Sequence, residues 1–469
     1  MKSTKKLVAA LAAVALTGTA GAGIVHAATA DNIVAGGATF PLNLMESCRS
    51  TFPADSTNTQ SATVQYSGVG SGTGRKNFYL NTYQFAMSDS RWSTSDSDWR
   101  SGDTASNKSF VFIPMIAGAI DVAYNVSGVK PAGTVIQLKA ATVAKIFAGQ
   151  ITTWNDAAIK ADNPVAARPS LSGLNNKARF LLGTVTKSKI GLTINVNKTL
   201  VTKSLKNLVI TSQVGSAKAK TVYNAKVKAG ISKVSVEYTS GAVYTVKWNG
   251  KTTIGTMTKD ASTITLPATP ITVVYRKESS GTTNNFQNFL KSTTPSVWTT
   301  VADAFSPPSG VPSDGSFISA QGNDGVANGV MNKDGAIGYA EVSFVNERQL
   351  AGKSITAAKI QNASGAFLQG SSTGAASFVS AGAIDETTGY VTFDYTTPKA
   401  DAYPITAVSY GMANKASGPA TTAQNVTAKR YVQYVLNTCA PAVAEIKGYA
   451  PLPANFVEVA LRLSNQIGA

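Results

Sequence analysis

Histidine is nearly missing from this chain: His26 is the only one in 469 residues. It stands in a segment, residues 1–27, that reads as an export signal. Lys2, Lys5 and Lys6 lead into an apolar Ala/Leu/Val stretch that ends in the small-residue site Val25-His26-Ala27. Once that segment is removed, the mature chain has no imidazole. Ser-His-Asp and Cys-His nucleophile activation are then excluded, as are histidine-based zinc or iron sites. Cysteine is scarce as well: Cys48 and Cys439 are the only two, too few for a sulfur metal site. In an oxidising compartment they are either a structural disulfide or two buried thiols. Long apolar runs are also missing. The signal's own run is broken by Thr17, Gly18, Thr19 and Gly21, and no later stretch offers the roughly 18 apolar residues of a membrane helix. No cysteine stands at the cleavage point to carry a lipid. The expectation is a soluble protein exported to the periplasm or to the cell surface and beyond, and not lipid-anchored.

Acidic residues are few, and their scarcity is local. The formal charge is +17, yet residues 166–265 hold sixteen Lys/Arg against only Glu237 and Asp260, while the rest of the mature chain carries 23 of each sign. A compositional boundary of this kind marks a separate domain. The same segment changes periodicity: β-branched and polar residues alternate in Val234–Tyr238, Ala242–Trp248 and Lys251–Met257. Thr239-Ser240-Gly241 and Asn249-Gly250 supply turns, and Asn-Gly between alternating runs is a strong hairpin signal. Residues 166–265 are therefore expected to form an inserted, basic, all-β module. Its lysines are either the polar face and edge protection of a small sandwich or a surface for an anionic envelope polymer. Charge alone does not separate these, and it indicates no specific nucleic acid.

On both sides of the module, strand-like and helical patterns alternate. Phe110–Ile116, Ile120–Asn125 and Thr272–Arg276 read as strands; Ala141–Ala148, Asn284–Lys291, Ala423–Cys439 and Asn455–Gln466 read as helices. This is α/β punctuation.

Three segments share one design, with glycine and small hydroxyl residues closing a strand just before a helix: Gly36-Gly37-Ala38-Thr39-Phe40-Pro41, Ser67-Gly68-Val69-Gly70-Ser71-Gly72-Thr73-Gly74, and Ser279-Ser280-Gly281-Thr282-Thr283. The first amides of a helix lack intrahelical partners, and glycine lets an oxyanion approach the backbone, so each is a potential anion cradle. Singly, each is also an ordinary helix cap. The second segment lacks the third glycine of a dinucleotide fingerprint, and no full G-x-x-x-x-G-K-[ST] phosphate loop occurs.

The order of these segments, followed by Ala86-Met87-Ser88-Asp89 and Val273-Val274-Tyr275-Arg276, resembles the phosphate-binding receptors of bacterial phosphate ABC importers. Gly322-Asn323-Asp324-Gly325-Val326, Gly335-Ala336-Ile337-Gly338-Tyr339 and Ala402-Tyr403-Pro404-Ile405-Thr406 continue the match over residues 31–165 and 266–469. Asp31-Asn32-Ile33 and the run from Tyr275 to Thr283 resemble the DING branch of that family. The basic module has no counterpart in the pattern.

The resemblance implies an α/β, two-lobe, periplasmic-binding-protein-like (type II) fold with mixed sheets, carrying the module. Lobe one would hold residues 28–115 and 406–469, and lobe two 116–165 and 266–405. The chain would cross between lobes near Ile113–Gly118 and Pro404–Val408. Cys48 and Cys439 would then share lobe one, which favours their pairing. The implied phosphate ligands are Thr39, Phe40, Ser71 and Asp89 from one lobe and Arg276, Ser280, Gly281 and Thr282 from the other, with Glu278 pairing Arg276. No catalytic residue, cofactor or metal is implied; the partners are inorganic phosphate and a membrane ABC phosphate permease, and the state is monomeric.

Asp89 carries the specificity. A carboxylate against an anion is sensible only if the ligand brings a proton, as phosphate does and sulfate does not. A desolvated charge left unsatisfied costs on the order of 3 kcal/mol, or roughly a hundredfold in affinity. The bland alternative is that Asp89 caps a helix, and that Arg276 and Glu278 form a surface pair. Two other functional classes stand beside the receptor: a secreted DING-like phosphatase, and an envelope adhesin acting through the basic module.

Overall fold

The computed structural model describes residues 32–92, 109–130, 132–163, 169–172, 178–185, 189–196, 206–227, 230–237, 239, 242–248, 252–259, 264–415 and 420–469. The segment 1–27 expected to be an export signal, with His26, the expected turn residues Ser240, Gly241, Asn249 and Gly250, and Pro164 lie outside the described residues.

Strands rich in Val, Ile and small residues end in glycine or hydroxyl residues, and the chain turns there into helices. In chain order the main strands are β1 (Ile33–Gly37), β2 (Val64–Gly68), β3 (Phe85–Ser88), β4 (Phe110–Asn125), β5 (Thr272–Arg276), β6 (Phe317–Ala320), β7 (Ala336–Glu341) and β8 (Thr406–Asn414). They form one mixed sheet in the order β6-β5-β7-β4-β8-β3-β1-β2, with Thr356–Ala357 and Tyr449–Ala450 pairing β4 at its side. Each end of the sheet is parallel: β2, β1 and β3 at one end, β6, β5 and β7 at the other. The two ends are joined through antiparallel pairings of β4 with β7 and β8, and of β8 with β3.

β4 is the spine. Fourteen consecutive residues inside it are buried, Asp121 among them, so neither face shows an apolar–polar alternation, as expected for a strand covered on both sides. The two strand-like runs of the sequence are therefore one strand, because Ala117, Gly118 and Ala119 stay in the ladder and pair with β8. Gly118 is required there by packing: a β-carbon would stand 2.9 Å from the Phe40 ring. Residues up to Ala119 pair with β8, and those from Ile120 onward pair with β7. Pro114, which cannot donate to a ladder, sits where the β4–β8 register shifts between Ser409 and Tyr410.

Helices follow the parallel strands: α1 (Leu42–Thr51) after β1, α2 (Ser71–Tyr79) after β2, α3 (Gly281–Thr293) after β5, and α4 (Gly322–Met331) after β6. Their apolar residues, such as Leu44 and Met45, Phe78, Phe286 and Leu290, and Val326 and Val330, are fully buried against the sheet. Cys48 of α1 is disulfide-bonded to Cys439, in the C-terminal helical stretch.

Between residues 169 and 259 the described strands form two separate antiparallel sheets. One runs in the order Lys220–Val227, Lys206–Val214, Ala242–Trp248, Thr252–Lys259, Pro169–Ser172; the other in the order Gly230–Glu237, Lys189–Val196, Ala178–Val185. The strands flanking Asn249-Gly250 are an antiparallel pair. Those flanking Thr239-Ser240-Gly241 are not: Gly230–Glu237 pairs with Lys189–Val196, and Ala242–Trp248 lies in the other sheet. That second turn connects sheets instead of closing a hairpin.

Candidate functional site

In an open α/β sheet, ligands gather beyond the carboxyl ends of parallel strands, where helices begin. Here both parallel ends present such edges to one place. Thr39 and Phe40 follow β1, Ser71 opens α2, Asp89 follows β3, Arg276 ends β5, Ser280 caps α3, and Gly322 opens α4. The loops are folded tightly enough to demand glycine. Gly37 has φ 133°, and a β-carbon there would stand 2.1 Å from the Met87 carbonyl oxygen. The amides of Val69 and Gly70 both donate to the Gly37 carbonyl at 2.9 Å, which ties the first cradle to the second. Pro41 caps α1 just ahead of its first helical residue, a position where its missing amide hydrogen leaves nothing unsatisfied.

Several of the residues singled out from the sequence lie close together. Gly281 is so close to Asp89 and Ser71 that a β-carbon would fall 2.6 Å from Asp89 Cβ and 2.7 Å from Ser71 Oγ. A β-carbon on Gly70 would fall 2.8 Å from Glu278 Cγ. The Gly72 amide donates to the Ser279 carbonyl at 3.3 Å, and the Asn285 side-chain amide donates to the Asp89 carbonyl at 2.6 Å. Asn323 of α4 donates to Thr39 Oγ1 at 3.0 Å. The β1-to-β3 end and the β5-to-β6 end are thus in direct contact around a common centre. Thr39, Phe40, Ser71, Asp89, Arg276, Ser280 and Thr282 are all buried.

The polar atoms left over point to a ligand. Arg276 donates from Nε to Glu278 Oε1 at 2.6 Å and also pairs with it through Nη2, while its Nη1 is buried with no partner. Glu278 is held in turn by the Gly322 amide, at 3.1 Å. Thr282 Oγ1 is a second buried atom without a partner. Ser280 Oγ is occupied in capping α3, accepting from the Thr283 amide at 3.3 Å. Unsatisfied buried donors are rare and costly, so an orphaned guanidinium nitrogen and an orphaned hydroxyl beside helix N-termini describe a receptacle for an oxyanion.

Asp89 is the acceptor in this set. Ser409 Oγ donates to its Oδ1 at 2.7 Å, and the Asp89 amide donates to Ser71 Oγ at 3.1 Å. Burial pushes its carboxyl up to about 7, against the opposing pull of the Ser409 hydrogen bond and the Arg276 charge; the Asp303 carboxylate adds to the rise. Among the described residues no cluster of His, Cys, Asp and Glu could hold a metal ion.

Several neighbours leave no local signal in the sequence. Arg75 of α2 forms a buried ion pair with Asp303, Nη2 to Oδ2 at 2.7 Å. Asp303 is fixed to α3, since its carbonyl accepts from the Ser280 amide at 3.0 Å and its Oδ1 accepts from Asn284 at 3.0 Å. Ser409, Asn323 and Asn285 are also new to the site. Tyr339, whose hydroxyl accepts from the Arg276 amide at 3.3 Å, was named only within a motif. The string Gly370-Ser371-Ser372-Thr373-Gly374 has the spacing of a nucleophile elbow. Its central Ser372 is the first residue of the helix Ser372–Val379, which Ser371 caps, and the chain's single histidine, His26, lies outside the described residues.

A family model for the PBP superfamily domain matches residues 25–259 and 243–438. The chain is 25% identical over 292 residues to the phosphate-binding protein PstS 3 of Mycobacterium leprae, covering 61% of this chain and 48% of that one. It is 31% identical over 198 residues to the phosphate-binding protein PstS of Xylella fastidiosa, covering 41% and 50% respectively. The chain thus spans about half the length of these two curated relatives. A match to PstS of Haemophilus influenzae, 22% identical, covers 92% of this chain and 91% of that one. Among solved structures, a DING protein and a high affinity periplasmic phosphate-binding protein (PfluDING) bound with phosphate each superpose with a TM-score of 0.52 at 17% identity. They cover 91% and 93% of this chain, and 93% and 99% of their own. These neighbours share the mixed α/β, two-lobe fold. With a family model spanning most of its length, this chain belongs to the PBP superfamily of binding proteins.

Proposed function

We propose that this protein is an exported receptor that binds inorganic phosphate between its two lobes and delivers it to a membrane ABC phosphate permease, acting as a binder and not as an enzyme. The observation that carries the reading is a single carboxyl, Asp89, buried among donors that include the orphaned Arg276 Nη1 and Thr282 Oγ1. A pocket of donors alone would accept any tetrahedral oxyanion. Adding one acceptor favours an ion that carries a hydrogen, and phosphate near neutral pH does. Sulfate meets the ionised carboxylate oxygen to oxygen, so discrimination works by rejection. The names of the relatives point the same way.

In this reading Thr39, Phe40, Ser71 and Asp89 bind from lobe one, residues 28–115 and 406–469. Arg276, Ser280, Gly281 and Thr282 bind from lobe two, residues 116–165 and 266–405. Glu278 engages Nε and Nη2 of Arg276 and leaves Nη1 for the ligand. The segment 166–265 projects from lobe two and offers its lysines to an anionic envelope polymer. Residues 1–27 are removed on export, and the mature monomer works without a lipid anchor in the periplasm or at the cell surface. No helix among the described residues is long and apolar enough to cross a membrane.

Calorimetry on refolded, ligand-free protein is the direct test. Phosphate should bind one to one, and sulfate at the same concentrations and pH 8 should give no heat. Absence of phosphate heat from correctly refolded protein would sink the proposal.

A further inference from the structure

The ion pair between Arg75 and Asp303 joins residues that belong to opposite ends of the sheet. Arg75 lies in the second turn of α2, the helix that Ser71 opens; Asp303 is bound through its backbone to Ser280, the cap of α3. Its flanking carbonyls, of Ala302 and Ala304, accept from Gln287 of α3 at 2.6 and 3.1 Å, so Asp303 moves with that helix. Arg75 is held on its own side by Ser88 and Ser90, whose hydroxyls accept from Nη1 at 2.8 and 2.6 Å. Ser90 then donates to the same Asp303 oxygen at 2.7 Å. The Arg75 side chain is 1% exposed and that of Asp303 11%. Asp303 is also close enough to Asp89 for its charge to raise that carboxyl.

Two buried opposite charges stabilise a closed arrangement only while both are present. Removing Asp303 takes a buried carboxylate from the Arg75 guanidinium, and removing Arg75 takes its cation from the Asp303 carboxylate, so either change weakens the closed arrangement. When the two sheet ends separate, each group regains water. The pair therefore acts on the difference between the apposed and separated arrangements, which is the quantity that determines how long an enclosed ion stays. We propose that Arg75 and Asp303 form a latch across the cleft: positioning residues that hold the N-termini of α2 and α3 onto one ion and set its rate of release. The inference rests on the phosphate reading above and adds to it the residues that govern retention.

The test compares the full mature chain with Arg75→Met, Asp303→Asn and the double variant. Phosphate affinity is measured by calorimetry, and association and release by stopped flow. Each single variant should bind phosphate roughly thirtyfold more weakly or worse, with the loss in release and not in association. The double variant should be no worse than the weaker single. The preference for phosphate over sulfate, measured at pH 8, should not fall, because loss of the Asp303 charge only lowers the Asp89 carboxyl and keeps it ionised. Melting of the ligand-free protein should be nearly unaffected, while the phosphate-loaded protein should lose most of its ligand-induced rise. A purely structural role predicts equal losses with and without phosphate, and that result would overturn the latch. So would phosphate retention in Asp303→Asn equal to that of the unmodified chain. If the unmodified chain itself fails to bind phosphate, the receptor reading falls first and the latch with it.

Discussion

Gly281 and Asp89 meet across the two sheet ends with no room for another carbon: a β-carbon on residue 281 would stand 2.6 Å from Asp89 Cβ. The backbone at 281 does not need glycine for its conformation, since its φ is not among the positive values. Alanine would also suit a first helical turn. Gly281→Ala should therefore leave ligand-free melting unchanged or slightly raised, and still keep the two ends apart. Phosphate affinity should fall by roughly a hundredfold, the scale of a misplacement of about an ångström. Calorimetry and a thermal melt on the same sample check both halves of the statement.

Asp89→Asn replaces the acceptor with a group that can donate. The Ser409 hydroxyl, now 2.7 Å from Oδ1, still has a carbonyl oxygen to meet, so the fold should survive. Phosphate should weaken and sulfate should appear as a ligand, narrowing the ratio by roughly a hundredfold. The same logic gives a pH signature in the unmodified protein. With the Asp89 carboxyl pushed up to about 7 by burial, it is mostly protonated below that pH and can itself donate to sulfate. Sulfate competition should be absent at pH 8 and grow as pH falls through 7. A competition curve flat across that range would remove the gatekeeping role.

Behind the site, Glu341 is fully buried, and its carboxyl is pushed up to about 8 chiefly by burial. It accepts from the Ser343 amide at 3.0 Å, and from Tyr449 Oη, which also donates to the Phe40 carbonyl at 2.8 Å. Asp121, in the neighbouring strand, is pushed up to about 7 for the same reason. A carboxyl whose folded value lies above its unfolded value holds a proton that the unfolded chain has released. Its contribution is fully present below the unfolded value, about 4.5 for Glu341, and is lost as pH rises through about 8. Melting temperature of the ligand-free protein should therefore decline from pH 5 to pH 8. Glu341→Gln should flatten that decline, and an unchanged slope in the variant would show that Glu341 does not ionise in this range.

The Cys48–Cys439 bond closes a loop of 391 residues. In the chain-entropy account such a loop stabilises by on the order of 5 kcal/mol, so Cys48→Ala with Cys439→Ala should lower melting by roughly 10 °C. Neither sulfur is near Asp89 or Arg276 in the chain or the sheet. Phosphate affinity at room temperature should hardly change, and a large loss of affinity would mean that α1 is positioned by the bond.

The cradles were legible because a helix start announces itself locally. Thr39, Ser71 and Ser280 each follow a strand and glycine-bearing motif, and those motifs kept the order known from a family. Ser409 could not be found that way. It reaches Asp89 from a strand 320 residues away, beside a bulge that no local pattern marks. Arg75 and Asp303 carry no local signal at all; only the folded chain, which brings residues 228 positions apart together, makes them a buried pair. The continuity of β4 was hidden by Ala117-Gly118-Ala119, whose small size looks like a break and is instead an accommodation of Phe40.

β4 belongs to both ends of the sheet at once, and this limits how the molecule can open. A slip of one residue along it would break its pairings with β7 and β8 together and carry Gly118 away from the Phe40 ring that only a glycine accommodates. Sliding is thereby forbidden, and only flexing remains. In the receptor reading proposed above, Asp89, Gly281 and Arg276 would then come back to the same mutual positions each time the two ends meet.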